Sequence, residues 1–314
     1  DFTRQHLGKL SFYDTMRLII SMGKGSTNDE IMDYFNLDPD LIPSQSAFCQ
    51  RRRQISLSAF EYLFSEFSSS FPSTTDKFKD HCILACDGCH VVYATNSDII
   101  EDYNKPRLID YKGYNHMHLN GFVDVISKAF LDVVIQPGQQ PDEREALHSM
   151  LDHFTPDDPQ KYIITADRGY ESYDLLFHCE LKNLGYVFRV KSPSSPKSIL
   201  SYYASEFPDD LEEFDVTIKR FFTDKATNIM KSQSDVYRYI NPSKNTPHFY
   251  ELLRKNHSHL YFLQFRVVKI KTAGISKTGN LFLPDSVQFR HFYRKRSGRR
   301  KPEKETGWQQ QVSL

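Results

Sequence analysis

Long apolar runs are missing from this sequence of 314 residues. No stretch approaches the roughly 20 uninterrupted apolar residues that a membrane helix requires, and residues 1–4 lack the apolar core of a signal peptide. Cysteine is also scarce: the five cysteines are odd in number and unevenly spaced, unlike the disulfide framework of a secreted protein. We therefore expect a cytoplasmic protein with reduced thiols and no membrane partner.

Net charge and flexible residues are equally limited. Forty Lys and Arg residues balance forty Asp and Glu residues, so a nucleic-acid partner would have to be held by local basic patches. Glycine (13) and proline (15) are few, whereas 39% of the residues are hydrophobic and 14% aromatic. This composition excludes a disordered or fibrous chain, and the length suits two domains or one elaborated domain.

The first 72 residues predict a small all-α domain. Ser11 is the expected N-cap of a first helix and Asn28 of a second one. Four apolar residues of the first helix are expected on its buried face: Phe12, Met16, Ile19 and Ile20.

A basic cluster closes the third predicted helix, which spans residues 44–55 and contains Arg51, Arg52 and Arg53. Such a cluster suits a helix-turn-helix style contact with DNA, and it is equally typical of a solvated helix face. The sequence leaves both interpretations open.

Strands and helices alternate after a Ser- and Pro-rich joint at residues 68–75. The pattern predicts, in chain order, a strand at 82–93, two strands within 116–135, a helix after Pro141, a strand at 162–166, a helix capped by Ser172, and a strand at 186–190. The strand-helix-strand unit implies parallel pairing, so residues 80–198 are expected to form a mixed sheet with flanking helices. Residues 199–271 read as a β-rich insertion, and residues 272–314 as a basic, poorly ordered or aberrant C-terminal segment.

Two aspartates end apolar strands in this core. Asp87 follows the run 82–86 and Asp167 follows the run 162–166. If the two strands are neighbours, the carboxylates leave the sheet at one level, and like charges that close require a cation such as Mg²⁺ or Mn²⁺. The local alternative is that each Asp caps a turn or the following helix.

Three segments carry a resemblance to a known family: residues 83–89 (ILACDGC), the run from 118–121 (HLNG) to 136–137 (QP), and residues 165–172 (TADRGYES). They resemble bacterial insertion-sequence DDE transposases of the IS-four group. The resemblance implies an RNase H-like α/β fold in which Asp87 and Asp167 bind Mg²⁺ or Mn²⁺.

The activity that the resemblance implies is hydrolysis of a phosphodiester at the element end, followed by transfer of the freed strand to target DNA. The partner would be double-stranded DNA, both terminal repeats and target, with a homodimer on paired ends and a bacterial, nucleoid-associated location. Asp87 and Asp167 would act as metal ligands. Arg168 would contact a phosphate or pair with Glu171 or Asp174.

The third acid departs from the pattern of the family. The family has a Glu in a helix that reads Tyr, two residues, Arg, three residues, Glu. The closest start here, Tyr293 with Arg296, puts Arg300 at the position of that Glu, and neither Glu303 nor Glu305 has the expected flanks. We hypothesise a frame change or truncation that leaves the site incomplete; an uninterrupted reading frame in related copies would contradict this.

Two other functions stay open: a noncatalytic DNA-binding relic of a transposase, and a stand-alone RNase H-like nuclease without strand transfer. A zinc site at Cys82, Cys86 and Cys89 is disfavoured, because in a strand the first two face away from the third. A phosphatase nucleophile motif at Asp87 is disfavoured because Cys89 stands where a second Asp is needed. His116 and His118 share a strand face and either reach the site or pack against aromatic neighbours.

Overall fold

The computed structural model describes residues 10–70, 77–78, 80–106, 112–208, 211, 213–241, 246–271, 274–275, 281–282 and 285–289, with side chains up to residue 269. The chain divides into two units, Asp1–Ser70 and Phe71–Leu314. Among the residues described, no helix combines the length and apolar character needed to cross a membrane.

The first unit contains four helices: α1 (Phe12–Ser21), α2 (Thr27–Tyr34), α3 (Gln45–Arg52) and α4 (Leu57–Ser70). Ser11 caps α1 in a reciprocal capping box with Asp14, as the sequence predicts. The prediction for α2 is wrong by two residues: the hydroxyl of Ser26, not the side chain of Asn28, accepts from the backbone of the first turn. A serine followed three residues later by an acid is the better cap, since the acid also favours the positive end of the helix.

A small core holds α1, α2 and α3 together. Its buried members are Leu10, Leu18, Ile31 and Phe48. The predicted buried face of α1 is partly wrong, because Phe12 and Ile20 are exposed while Leu18 and Thr15 are buried along with Met16. The buried stripe is therefore rotated relative to the one that the four apolar residues suggested.

Within its described residues, the second unit contains twelve strands: β1 (Cys82–Tyr93), β2 (Tyr103–Asn104), β3 (Tyr114–Asp124), β4 (Phe130–Pro137), β5 (Tyr162–Ala166), β6 (Gly185–Val190), β7 (Phe214–Thr223), β8 (Tyr237–Tyr239), β9 (Leu260–Lys271), β10 (Gly274–Ile275), β11 (Leu281–Phe282) and β12 (Asp285–Phe289). Its helices are α5 (Glu143–His153), α6 (Tyr173–Leu181), α7 (Asn228–Ser232) and α8 (Pro247–Lys255), with 3₁₀ turns at Pro159–Lys161 and Ile199–Glu206.

The order of the core strands defines the fold. β4, β3 and β1 pair antiparallel, and β1, β5 and β6 then pair parallel, which gives the order β4-β3-β1-β5-β6. Only β3 runs against the other four. Helix α5 connects the antiparallel strands to β5, and α6 connects β5 to β6. This succession, with the second strand reversed, is the RNase H-like fold.

A continuous apolar core lies beneath the sheet. It includes Leu147, Met150 and Leu151 of α5, which occupy one helical face as the spacing predicts. Leu84 and Cys86 of β1 are also in this core, and the intervening residues of the strand are less buried. The sheet therefore presents one covered face, and the two aspartates lie outside that core.

The segment 199–271 extends the sheet. β7 pairs antiparallel with β9 over ten residues of register and parallel with β8. β12 pairs with both β6 and β9, so the strands of the insertion continue the core sheet. The insertion also contains α8, whose buried Phe249, Leu252 and Leu253 join the main core. Most of the predicted disordered segment 272–314 lies outside the described residues; within it the structure describes strand backbone at β10, β11 and β12.

Candidate active site

The two aspartates are neighbours just beyond the β1–β5 pairing. β1 and β5 pair in parallel, with Cys86 opposite Ala166 as the last pair of the register. Asp87 and Asp167 are the next residues along the chain, and both are exposed. Only Asp167 follows the end of its strand, because β1 continues past Asp87 to Tyr93 in its pairing with β3. Paired strands lie about 4.8 Å apart, so the backbones of the two aspartates lie at one level of the sheet.

Each carboxylate uses one oxygen for a local contact. The backbone N–H of Gly88 donates to Oδ1 of Asp87 at 2.9 Å, and the N–H of Gly169 donates to Oδ1 of Asp167 at 2.6 Å. These contacts are what turn-capping aspartates make. They leave one oxygen of each carboxylate without a partner among the described residues, so both aspartates can still bind a cation.

Glu143 brings a third carboxylate to this edge. It is the first residue of α5, and its Oε2 lies 3.2 Å from the position that a Cβ on Gly169 would take. Oδ1 of Asp167 lies 2.9 Å from the same position. The absence of a side chain at residue 169 therefore lets the two carboxylates approach each other. Arg144 fixes this arrangement, since its Nε donates to the carbonyl of Gly169 at 3.2 Å.

Two buried side chains of β3 lie beside Gly88 of β1. A Cβ on Gly88 would lie 2.4 Å from Nε2 of His118 and 3.0 Å from Oδ1 of Asn120. Nε2 of His118 is also 3.3 Å from Oε1 of Glu143. Oδ1 of Asn120 is fully buried and accepts no hydrogen bond from the described residues. Asn120 is paired with Gly88 and shares its face of the sheet, whereas Asp87 is paired with Gly121, so the amide oxygen is not part of the carboxylate set.

His116, the second histidine of this strand, lies further from the acids. It contacts the side-chain amide of Asn104 and the ring of His90. Of the two histidines considered from sequence, the structure therefore brings only His118 to the candidate site.

The thiol below the acids remains protonated. Burial raises the pKa of Cys86 to about 12, and the negative charges of Asp87 and Glu143 act in the same direction, while a hydrogen bond to Tyr170 opposes them. The hydroxyl oxygen of Tyr170 accepts from this thiol at 3.5 Å, and burial raises the pKa of Tyr170 as well. Cys86 is thus a poor nucleophile near neutral pH.

Arg168 follows Asp167 directly and is exposed. In the part of the chain that the structure describes, neither Glu171 nor Asp174 pairs with it. Glu171 is buried and accepts from the hydroxyl of Ser198 at 2.8 Å, and Asp174 contacts His248. The contact of Arg168 with a DNA phosphate stays a prediction.

The arginine cluster of the first unit ends a helix. Arg51 and Arg52 lie in the last turn of α3, and Arg53 is its C-cap. Arg51 donates to the side chain of Gln54 at 3.2 Å, and Arg52 lies over the ring of Phe48. Cations are favoured at a helix C-terminus, so the fold alone accounts for their position. Contact with DNA stays a prediction.

The donor set fits a hard divalent cation. Asp87, Asp167 and Glu143 supply carboxylate oxygens, the ligand type that Mg²⁺ and Mn²⁺ prefer. Sequence reasoning found the two aspartates from the strand pattern but missed Glu143, because an acid in the first turn of a helix is ordinary. Residues 290–314, where a third acid was sought, lie outside the described part of the chain.

The fold and the paired acids define a nuclease- or transferase-type core, and comparison with protein families identifies which one. A family model described as the transposase DDE domain matches residues 78–305. The chain belongs to this family. The match begins just before β1 and therefore includes both aspartates and Glu143.

Among solved structures, the chain is similar to the cryo-EM structure of a piggyBac transposase synaptic complex with hairpin DNA. The TM-score is 0.37 and the sequence identity 10%, over 88% of this chain and 49% of that one. This chain thus spans about half the length of that transposase. A search of the curated proteins finds no match.

Proposed function

We propose that this chain cuts DNA as the catalytic part of an insertion-sequence transposase, with Asp87 and Asp167 as ligands of Mg²⁺ or Mn²⁺. The observation that carries the proposal is the parallel register of β1 and β5, which makes these two acids neighbours just beyond its last pair. Membership of the transposase DDE family supports it. Divalent ions bound there would supply charge stabilisation for an in-line displacement at phosphorus.

The residues around the acids have distinct parts in this proposal. Glu143 replaces the third acid that the C-terminal sequence does not show, since it already lies beside Asp167 across Gly169. His118 holds Glu143 in place through the contact at 3.3 Å. Arg168 binds a DNA phosphate, because it is exposed next to Asp167 and pairs with neither of the nearby acids considered from sequence.

A nicking assay tests the catalytic claim. Supercoiled plasmid DNA is incubated with the full chain and Mn²⁺ or Mg²⁺, and conversion to the open circle is measured. We expect nicking that requires the metal and that falls at least about 100-fold in Asp87→Asn or Asp167→Asn, because loss of a charged ligand removes transition-state stabilisation. Glu143→Gln is expected to lower it strongly as well.

Asp157→Asn is the matched control. This exposed aspartate precedes β5 at the opposite end of the strand from Asp167 and should leave nicking unchanged. If the wild-type chain and Asp167→Asn nick at the same rate, the activity is a contaminant and the proposal fails. The noncatalytic relic predicts a different result: the folded wild-type chain does not nick DNA, and mutation of the acids leaves its DNA binding unchanged. Arg300 at the expected Glu position agrees with that alternative.

Strand transfer distinguishes a transposase from a nuclease. A duplex with a pre-cut 3′ hydroxyl is offered together with plasmid DNA, and covalent joining is measured. Joining that depends on Asp87 and Asp167 supports the transposase, whereas nicking without joining supports the stand-alone nuclease.

DNA binding by the helical unit is tested separately. Replacing Arg51, Arg52 and Arg53 with Gln should weaken binding to a labelled duplex and reduce the salt slope by about one for each phosphate that is no longer neutralised. An unchanged salt slope would leave the cluster as a solvated helix end. The homodimer on paired ends and the nucleoid location in a bacterium remain predictions that accompany this function.

A further inference from the structure

Three histidines from three helices meet away from the carboxylate site. His148 of α5, His178 of α6 and His248 of α8 each offer a ring nitrogen, and these nitrogens all lie within 4.8 Å of one another. The rings are stacked, with centroids 3.9 Å apart for His178 and His248 and 4.5 Å for His148 and His248. His178 is buried and the other two are half-buried. No step of the proposed DNA cleavage uses them.

Two acids orient the rings from outside the cluster. Asp174, buried in α6, accepts from Nδ1 of His248 at 2.7 Å and from the backbone N–H groups of His248 and Phe249. Nε2 of His178 lies 3.2 Å from Oδ1 of Asp152. In neutral rings, these contacts place the protons on Nδ1 of His248 and Nε2 of His178. The opposite nitrogen of each ring then carries a lone pair, as in histidines that a carboxylate prepares for metal binding.

The third ring cannot satisfy both of its neighbours. Nδ1 of His148 lies 2.9 Å from Nδ1 of His178, and Nε2 of His148 lies 3.6 Å from Oδ2 of Asp174. A neutral imidazole has one proton for these two approaches. With His178 protonated on Nε2, either choice leaves a lone pair facing another electron-rich atom in a buried place, and a metal ion held between the rings would relieve this.

Neutral imidazole is the form that binds metals, and the tautomers described above are those of neutral rings.

We propose that His148, His178 and His248 bind a zinc ion, with Asp174 as fourth ligand or as the orienting partner of His248. A site of three imidazoles and one carboxylate binds zinc in preference to magnesium. The lone pair of each imidazole nitrogen lies in the plane of its ring, so stacked rings cannot all point at one ion. Binding of the zinc ion therefore requires the rings to rotate about χ2 until their lone pairs meet at one centre. The ion would tie α8 of the insertion to α5 and α6 of the core.

Metal binding to the wild-type chain is the first test. The full chain is stripped with chelator and titrated with Co²⁺, whose visible absorption reports tetrahedral coordination, and Zn²⁺ is then added as competitor. We expect about one tightly held ion per chain, displaced by zinc, and free zinc at about 100 times its Kd should raise the Tm by roughly 5 to 10 °C. Absence of such absorption in the folded wild-type chain overturns the proposal.

Variants and spectroscopy locate the ion. The double variant His178→Gln/His248→Gln should lose it, while His153→Gln, an exposed histidine on α5, should retain it. The double variant Asp87→Asn/Asp167→Asn should also retain the ion, because the carboxylate site is separate from the histidine site. The zinc proposal can therefore fail while the nuclease proposal holds, and the reverse. Should the histidine variant misfold, zinc-edge X-ray absorption on the wild type decides: fewer than two imidazole ligands overturns the assignment.

Discussion

Acid should destabilise the catalytic unit through its buried histidines, and His178 gives the largest expected effect. Its side chain is 2% exposed, and its pKa is lowered to about 2 by burial first and by its neighbouring rings second. In the unfolded chain the same imidazole has a pKa near 6.5. The folded state therefore excludes a proton that the unfolded state binds below pH 6.5.

The sign and size follow from proton linkage. Because the folded pKa is the lower one, stability is fully present above about pH 6.5 and declines as the pH falls towards the folded pKa. Between pH 8 and pH 5 the unfolded state gains nearly one proton at His178 and the folded state gains none, which is worth about 2 kcal/mol. The measurement is urea unfolding of the metal-free chain, in chelator, at a series of pH values.

His178→Gln should remove this part of the pH dependence. We expect the free energy of unfolding to fall by about 2 kcal/mol less in the variant than in the wild type over this pH range. His153→Gln is the control for replacing an exposed histidine, since the side chain of His153 is 68% exposed. Equal slopes for wild type and His178→Gln would refute the claim that the buried ring is held neutral.

Other perturbations test the packing around the site. Gly138→Ala should cost about 2–3 kcal/mol, measured by urea unfolding, since its Cβ would lie 2.1 Å from the backbone carbonyl of His116. Gly121→Ala should cost less than half as much, because its Cβ would lie 2.7 Å from the exposed ring of Phe130, which can move, and 3.7 Å from Val123. Glu171→Gln should lower the Tm of the catalytic unit, because a buried carboxylate with three hydrogen-bond donors loses about 2 kcal/mol; an unchanged Tm would contradict this. Phe48→Ala should cost about 3 kcal/mol or more in the helical unit and leave hydrogen exchange in β1 unaffected.

The core strands could be predicted from the sequence because their apolar runs are short and clearly bounded. The strand at 82–93 has the observed bounds of β1, and the strand at 162–166 those of β5. These two runs were enough to single out Asp87 and Asp167, since each acid ends an apolar run, but only Asp167 follows the end of its strand, because β1 continues to Tyr93. Their pairing could not be read from the sequence, because it depends on a parallel register formed across an intervening hairpin and helix.

The helices of the insertion were harder to predict. Residues 199–271 read as β-rich, yet Pro247 begins α8. This helix is short and mostly polar, so the three residues that it buries do not form a recognisable helical pattern in the sequence. The cap of α8 comes from Asp174, which is far away in the sequence. A helix whose first turn is stabilised by a distant carboxylate gives no local signal, so it is missed when only neighbouring residues are considered.

Glu143 and the histidine cluster escaped prediction for the same reason. His148, His178 and His248 come from three helices, and nothing in their spacing resembles a local metal motif. Glu143 looks like any acid at a helix start until the glycine at position 169 is seen to admit it to Asp167. Sites assembled from separate elements become visible only once the tertiary arrangement is known.

Asp174 has a consequence for the modularity of the chain. This carboxylate of the core helix α6 accepts hydrogen bonds from the first turn of the inserted helix α8 and from the ring of His248 in that turn. Without the insertion, the core would contain a buried negative charge that has lost these hydrogen-bond partners, and this would lower the stability of the isolated core. Residue 198 is therefore a convenient boundary for comparing sequences, but the insertion is not an independent module. A different insertion at this position would have to supply another hydrogen-bond partner for Asp174.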